Sequence, residues 1–286
     1  MTFSHVIIVD WSAAKGPKRG KDSIWIAETS ARGSSAVNIA TRREAEAFLM
    51  ARLAQGLAED HRILLGADFA FGAPSGFVQH LTGQPTARSL WAWLAERVKD
   101  APGNLSNYRD IAADMNSHFI GDGPFWGNTQ RQEIAGLPRL KPALPAGLRS
   151  HRTTDLVARG SGASPKTIWQ LAGVGAVGAQ VLTGLPMLHR LCEGFRKAVT
   201  VWPFEAPTSP VVMAEVYPSL LAAQVAALVR ESGMVADEAQ VRLLSQALSR
   251  LPTHAMADLF SDTDPTQEEG CILGARQPEL LRASLT

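Results

Sequence analysis

Val6-Ile7-Ile8-Val9-Asp10, Ile63-Leu64-Leu65-Gly66-Ala67-Asp68 and Val211-Val212-Met213-Ala214-Glu215 are three short apolar runs, each ending in a carboxylate. Runs of this length, rich in Val, Ile and Leu and bounded by turn residues, predict strands buried on both faces, as in a parallel sheet covered by helices. If the three strands are parallel neighbours, their C-terminal ends lie side by side, where open α/β sheets place their ligands. Asp10, Asp68 and Glu215 are then expected to converge.

Around the first run the chain reads as a meander. Residues 6–9, 23–28 and 36–40 are strand-like, with Ile24 and Ile26 alternating with Trp25 and Ala27, and polar or Gly-rich turns separate them. Residues 41–57 follow with apolar residues at helical spacing, Ala45, Phe48, Leu49, Leu53 and Leu57, behind the capping box Thr41-Arg42-Arg43-Glu44. From Gly72 to about residue 166 the texture changes to Gly, Pro, Asn and Arg, with one convincing helix at 87–98. Residues 73–165 are therefore read as an insertion between the fourth and fifth core strands of a single domain, 1–286. Further on, helices are expected over 165–197, interrupted at Gly184 and Pro186, over 218–229, over 237–251, and from near Thr266.

The 286 residues are 45% hydrophobic and 19% charged, a globular balance that excludes disordered, fibrous and coiled-coil classes. Lys plus Arg number 28 against 27 Asp plus Glu, so a nucleic-acid partner must be held by a local patch. Residues 131–166 are the most basic part, with seven cations against two acids. Cys192 and Cys271 lack CxxC spacing, which argues against a disulfide framework or thiolate zinc site and suits a reducing cytosol. The start, Met1-Thr2-Phe3-Ser4-His5, has no signal-peptide pattern, and 171–188, with four glycines plus Gln180, Thr183 and Pro186, makes a poor membrane span. A soluble cytoplasmic protein with no membrane partner is expected.

Carboxylates gathered over a sheet edge repel, so they take up protons, pair with Lys or Arg, or hold a divalent cation. Oxygen ligands favour Mg²⁺ or Mn²⁺, and such ions drive in-line phosphodiester hydrolysis. The bland alternative is that acids at strand ends are caps and turn formers. Three strands, a helix, a strand ending in Asp68, an insertion and a strand ending in Glu215 resemble the ribonuclease H-like fold. More closely, Val9-Asp10-Trp11-Ser12, Gly66-Ala67-Asp68-Phe69-Ala70-Phe71-Gly72-Ala73-Pro74, Ala214-Glu215-Val216-Tyr217-Pro218-Ser219 and Glu268-Glu269-Gly270-Cys271-Ile272-Leu273-Gly274-Ala275 resemble an uncharacterised bacterial family of predicted nucleases with that fold. The resemblance implies an α/β mixed sheet with Asp10 as central ligand of Mg or Mn, Asp68 and Glu215 beside it, and a fourth acid on the last helix. Glu269, or its neighbour Glu268, is the nearest candidate there. Thr266-Gln267-Glu268-Glu269 is also a capping box, so Glu269 has a structural reading. Asp258, Asp262 and Asp264 stand as further candidates, with Asp262-Thr263-Asp264-Pro265 reading more simply as a turn.

Other motifs compete. Gly173-Val174-Gly175-Ala176-Val177-Gly178-Ala179 matches the dinucleotide-binding pattern, which needs a preceding strand and a ribose-binding acid, here Glu193; glycines that let a helix pack closely are the alternative. Asp10-Trp11-Ser12-Ala13-Ala14-Lys15-Gly16 is compatible with a phosphate-gripping turn of an actin-like phosphotransferase, although no second meander supplies its other half. The seven histidines show no HExxH or HxxxH spacing, and no GxSxG elbow accompanies Ser12. On the insertion, Arg131, Arg149, Arg152, Arg159 and Lys166 are placed to neutralise phosphates and Trp126 beside Phe125 to stack on a base. The alternative is solubilising arginines, a core-filling Trp126 and an Asp155 that pairs with one of the arginines. The reading is a metal-dependent nuclease using Asp10, Asp68, Glu215 and Glu269, with Trp126, Arg131, Arg152 and Lys166 on the nucleic acid. A non-catalytic binding protein on the same fold is the alternative from another class, favoured by the near-neutral charge.

Overall fold

In the computed structural model, which describes residues 1–261 and 266–285, the expected meander forms from β1 (His5–Asp10), β2 (Ile24–Ser30) and β3 (Gly33–Ile39), paired antiparallel. Its period of two is visible in the burial: Ile24 and Ile26 enter one core and Trp25 and Ala27 the other. Helix α1 (Arg42–Ala58) starts where the capping box placed it, the Thr41 hydroxyl accepting the Glu44 N–H at 3.3 Å. Ala45, Leu49 and Leu53, four residues apart, form its buried stripe. Strand β4 (Ile63–Ala67) then lies parallel beside β1.

The next segment is more regular than its composition implies. It holds α2 (Phe77–Thr82), α3 (Ala87–Arg97), a two-residue hairpin of β5 (Asp100–Ala101) and β6 (Leu105–Ser106), α4 (Tyr108–Ser117) and α5 (Thr153–Gly160). The expectation of one helix there is corrected to four. Three of them run only six to ten residues, too short to leave the long apolar periodicity by which α3 is recognised. Helix α6 (Gly178–Phe195) begins 13 residues later than the expected start, because Gly173 and Gly175 adopt positive φ values of 99° and 72° that end regular structure ahead of it. It runs unbroken through Pro186.

After α6 come β7 (Val199–Val201), β8 (Val211–Glu215), α7 (Ala222–Ser232), α8 (Ala236–Arg250), α9 (Thr253–Ser261) and α10 (Pro278–Ala283). The helix expected near Thr266 is absent: residues 267–269 form a turn. The sheet order is β3-β2-β1-β4-β8-β7, with β1, β4, β8 and β7 mutually parallel. One face, with Val9, Leu65 and Met213, is covered by α1, α3 and α6; the other, with Ile8, Leu64 and Val212, by α7, α8 and α9. The protein is thus a mixed α/β structure with helices on both faces. No helix among the described residues is long and apolar enough to cross a membrane.

Candidate active site at the ends of β1 and β4

The three parallel strands line up as their sequences imply, but their register separates the acids. Val9 faces Ala67 and Ala67 faces Glu215 across the sheet. Residues in one such row project to the same face, so Glu215 belongs with Val9 and Met213, whereas Asp10 belongs with Ile8 in the row that faces α8. Asp68 stands one residue beyond β4, its N–H held by Val9 O at 3.1 Å, beside Asp10. The structure brings Asp10 and Asp68 together and turns Glu215 away.

Asp10 is 8% exposed and hydrogen-bonded to Asp68, whose Oδ1 also accepts the Trp11 N–H at 2.9 Å. Burial first, then the Asp68 charge and the bond between the two acids, hold the Asp10 carboxyl well above its ordinary range. Burial pushes Asp68 up to about 6, against the hydrogen bonds from Trp11 and Asp10. The pair therefore shares a proton near neutrality, with Asp10 as donor and Asp68 as acceptor. No arginine or lysine compensates it: among the described residues neither acid enters an ion pair.

Glu215 has the opposite environment. Arg152 donates to both of its oxygens at 2.6 Å, and the Phe71 N–H donates to Oε2 at 2.8 Å. The same guanidinium reaches Asp155 at 2.8 Å and the Glu269 carbonyl at 3.0 Å. Arg152, expected on a phosphate, is thus 2% exposed and fully engaged, and Asp155 pairs with it as the alternative reading allowed. Glu269 accepts from the Ser75 N–H at 3.0 Å, the Ser75 hydroxyl at 2.9 Å and the Thr153 N–H at 2.6 Å, and pairs with Arg149. Burial would raise its carboxyl, but the bonds from Thr153 and Ser75 hold it below the usual range. Glu268 accepts from the Gly76 and Gln79 N–H groups at 2.7 and 2.8 Å. Both glutamates satisfy first-turn donors, of α5 and α2 respectively, across the chain instead of capping a helix of their own. Asp262 and Asp264 lie outside the described residues, and Asp258 sits on α9.

Asp10 and Asp68 stand in the wall of a cavity of about 560 Å³. Its walls are the loop 11–15, Asp22 and Ser23, the first residues of α4, the turn around Gly173 and Gly175, the first turn of α6, and Asp237 and Gln240 of α8. Two tethers fix the loop after β1. Arg42 donates to Ser12 O and Ala14 O at 3.3 and 3.0 Å, and Gln180 Nε2 donates to Trp11 O at 2.7 Å. Asp237 accepts the Asp22 N–H at 2.5 Å, and both add negative potential at Asp10. The wall also contains Arg109, 7% exposed, stacked 4.5 Å over the Tyr108 ring. Its Nε is buried without a hydrogen-bond partner, and among the described residues it enters no ion pair. Neither Arg109 nor Asp237 was singled out in the sequence. Each is a charged first-turn residue of its helix, a signal too common to select them.

The remaining expected contacts are scattered. Trp126 is half-buried and braces the chain, its N–H bonded to Trp169 O and its carbonyl to Leu171 N–H, and it does not line the cavity. Arg131 is exposed, its carbonyl accepting from Arg139 at 3.2 Å. Lys166 is exposed with its stem beneath Gly175, whose added Cβ would meet Lys166 Cε at 3.0 Å. Before the Gly173 motif there is no strand of the sheet, only an isolated bridge between Gln170 and Trp126, so the strand that a dinucleotide turn requires is missing. Cys192 and Cys271 are both buried and not joined in a disulfide.

Among the described residues no three His, Cys, Asp or Glu side chains are gathered closely enough to enclose a metal ion. The cavity wall presents carboxylates and amide donors and contains neither histidine nor cysteine. Comparisons with protein-family models, with curated proteins and with solved structures return no match.

Proposed function

We propose that this protein is a cytoplasmic phosphodiester hydrolase on a ribonuclease H-like fold, with a divalent cation, Mg²⁺ or Mn²⁺, held by Asp10 and Asp68. The observation that carries the reading is the buried, uncompensated Asp10–Asp68 pair in the wall of the 560 Å³ cavity. A meander followed by parallel strands, with acids at the ends of β1 and β4 and Asp237 on a helix behind them, supports the fold assignment.

The donor set fits the cation. Carboxylate oxygens without imidazole or thiolate suit hard ions, and Mg²⁺ is commonly held by one or two carboxylates with waters and substrate phosphate completing its shell. Such a cation would supply charge stabilisation to the reacting phosphate and lower the pKa of water. This chain's residues do the rest. Asp10 gives up the proton it shares with Asp68, Trp11 N–H keeps Asp68 oriented, and Arg42 and Gln180 hold the loop rigid. Asp237, half-buried and pushed up first by burial, stands where it can accept a proton from the cavity.

Titration calorimetry with Mn²⁺ alone tests the reading. Saturable binding that Asp10→Asn abolishes, together with Mn²⁺-dependent hydrolysis of bis(p-nitrophenyl) phosphate, is the expected result. Binding unchanged in Asp10→Asn, or none at millimolar Mn²⁺, overturns it.

A further inference from the structure

Arg109, in the wall of the cavity, is paired with no carboxylate among the described residues. Arg109 is buried to 7% exposure, its Nε lacks a partner, and it meets the Tyr108 ring instead of a carboxylate. An unsatisfied buried donor of this kind costs free energy unless a ligand accepts from it. A second feature faces the same space. Helix α6 is 18 residues long, and Ala179 and Gln180 in its first turn line the cavity, so their N–H groups, which have no intrahelical acceptor, add positive potential there. The turn before it brings Gly173 and Gly175 to the same wall without side chains.

We propose that Arg109 and the first turn of α6 form an anion subsite for a phosphate group, and that the substrate is a small phosphodiester of about nucleotide size. This rests on the reading of the cavity as the active site and names its substrate class. The volume lies in the range of small-molecule sites, roughly 300–1,000 Å³. The excess of acids in the wall disfavours an extended polyanion entering the cavity. Asp10, Asp22, Asp68 and Asp237 line the cavity against Lys15 and Arg109, so acids outnumber cations four to two in its wall. A duplex would carry about one charge per 1.7 Å of axis past those acids. A single phosphate seated on Arg109 avoids them and brings a neighbouring ester bond toward Asp10 and Asp68.

The test is calorimetry in EDTA, with inorganic phosphate, a nucleoside monophosphate and a 20-base-pair duplex as separate probes at 150 mM salt. Phosphate and the monophosphate are expected to bind the wild type saturably and Arg131→Ala equally well, because Arg131 lies outside the cavity. Arg109→Gln is expected to bind at least about tenfold more weakly, the loss of one charge-assisted contact. Arg109→Lys, which keeps the charge and the stem over Tyr108, is expected to fall between them, with circular dichroism confirming that both variants are folded. Phosphate binding indifferent to Arg109, or a duplex that binds more tightly than the monophosphate, overturns the proposal. Failure of the hydrolase reading looks different: Arg109-dependent phosphate binding persists while Mn²⁺ fails to bind at Asp10.

Discussion

Replacing Arg152 by methionine removes a guanidinium that donates at 2.6 Å to each oxygen of Glu215, at 2.8 Å to Asp155 and at 3.0 Å to the Glu269 carbonyl. Methionine fills most of the stem's volume, so the loss is electrostatic more than steric. What remains is two carboxylates, Glu215 at 3% and Asp155 at 3% exposure, with no cation. Breaking a buried ion pair from one side costs about 3–5 kcal/mol, because the surviving charge stays desolvated. At roughly 2–4 °C per kcal/mol for a chain of this size, the melting temperature falls by about 10 °C. Urea denaturation followed by circular dichroism measures the free energy directly. Adding Glu215→Gln to Arg152→Met removes one of the stranded charges and is expected to recover at least about 1 kcal/mol. A loss below about 1 kcal/mol in the single variant, or a double variant no more stable than the single, refutes the account of Glu215 as an acid neutralised by the fold.

Asp10→Asn mimics the protonated member of the acid pair. A carboxyl whose folded pKa exceeds its unfolded value binds its proton more tightly in the native state, so stability falls as pH rises between the two values. For Asp10, burial and the Asp68 charge raise the folded value well above the ordinary range, and asparagine carries no ionisable proton to be held there. In EDTA, Asp10→Asn is therefore expected to melt higher than wild type at pH 8, with the difference gone below pH 4; equal melting at both pH values counts against the shared proton. Gly72→Ala would place a Cβ 2.1 Å from the Glu268 carbonyl oxygen and 2.7 Å from the Glu269 carbonyl carbon, backbone that cannot step aside. It is expected to cost about 3 kcal/mol or more by chemical denaturation, and less for Gly184→Ala, which meets only the Phe69 ring. Glu269→Gln weakens the acceptor that closes α5 and the Ser75 turn, for a loss of about 1–2 kcal/mol in the same assay with an unchanged Mn²⁺ titration.

The sheet was legible because its information is local. Apolar runs of five residues, an alternating β2 and a threonine cap each announce an element within a few positions, and β1, β2, β3, α1, β4 and β8 form where those signals stand. The short helices α2, α4 and α5 carry too few turns to print a period, and α6 was misjudged at its start because glycines that end one structure resemble glycines that pack another. The capping box expected at 266–269 opens no helix there, and Glu269 instead accepts from the first N–H of α5. The donor it closes is Thr153, 116 residues away, and no window along the chain contains both.

The same limit divides the acids. Asp10, Asp68 and Glu215 give identical signals, a carboxylate ending an apolar strand, but their faces depend on which residues pair across the sheet. The pairing of Val9 with Ala67 and of Ala67 with Glu215 places Glu215 one row off. Once the rows are known, the charges that surround each acid separate structural roles from chemical ones. Glu215 meets Arg152, Glu269 meets Arg149, and Glu268 meets two backbone N–H groups. Asp10 and Asp68 meet each other and one N–H from Trp11. A fold that neutralises three of its buried strand-end and turn acids and leaves two adjacent ones sharing a proton has concentrated its uncompensated negative charge at one place. On the proposed reading, that is where a cation would be held most strongly, and Arg109, with its unpartnered Nε in the same cavity wall, is where the complementary anion would sit.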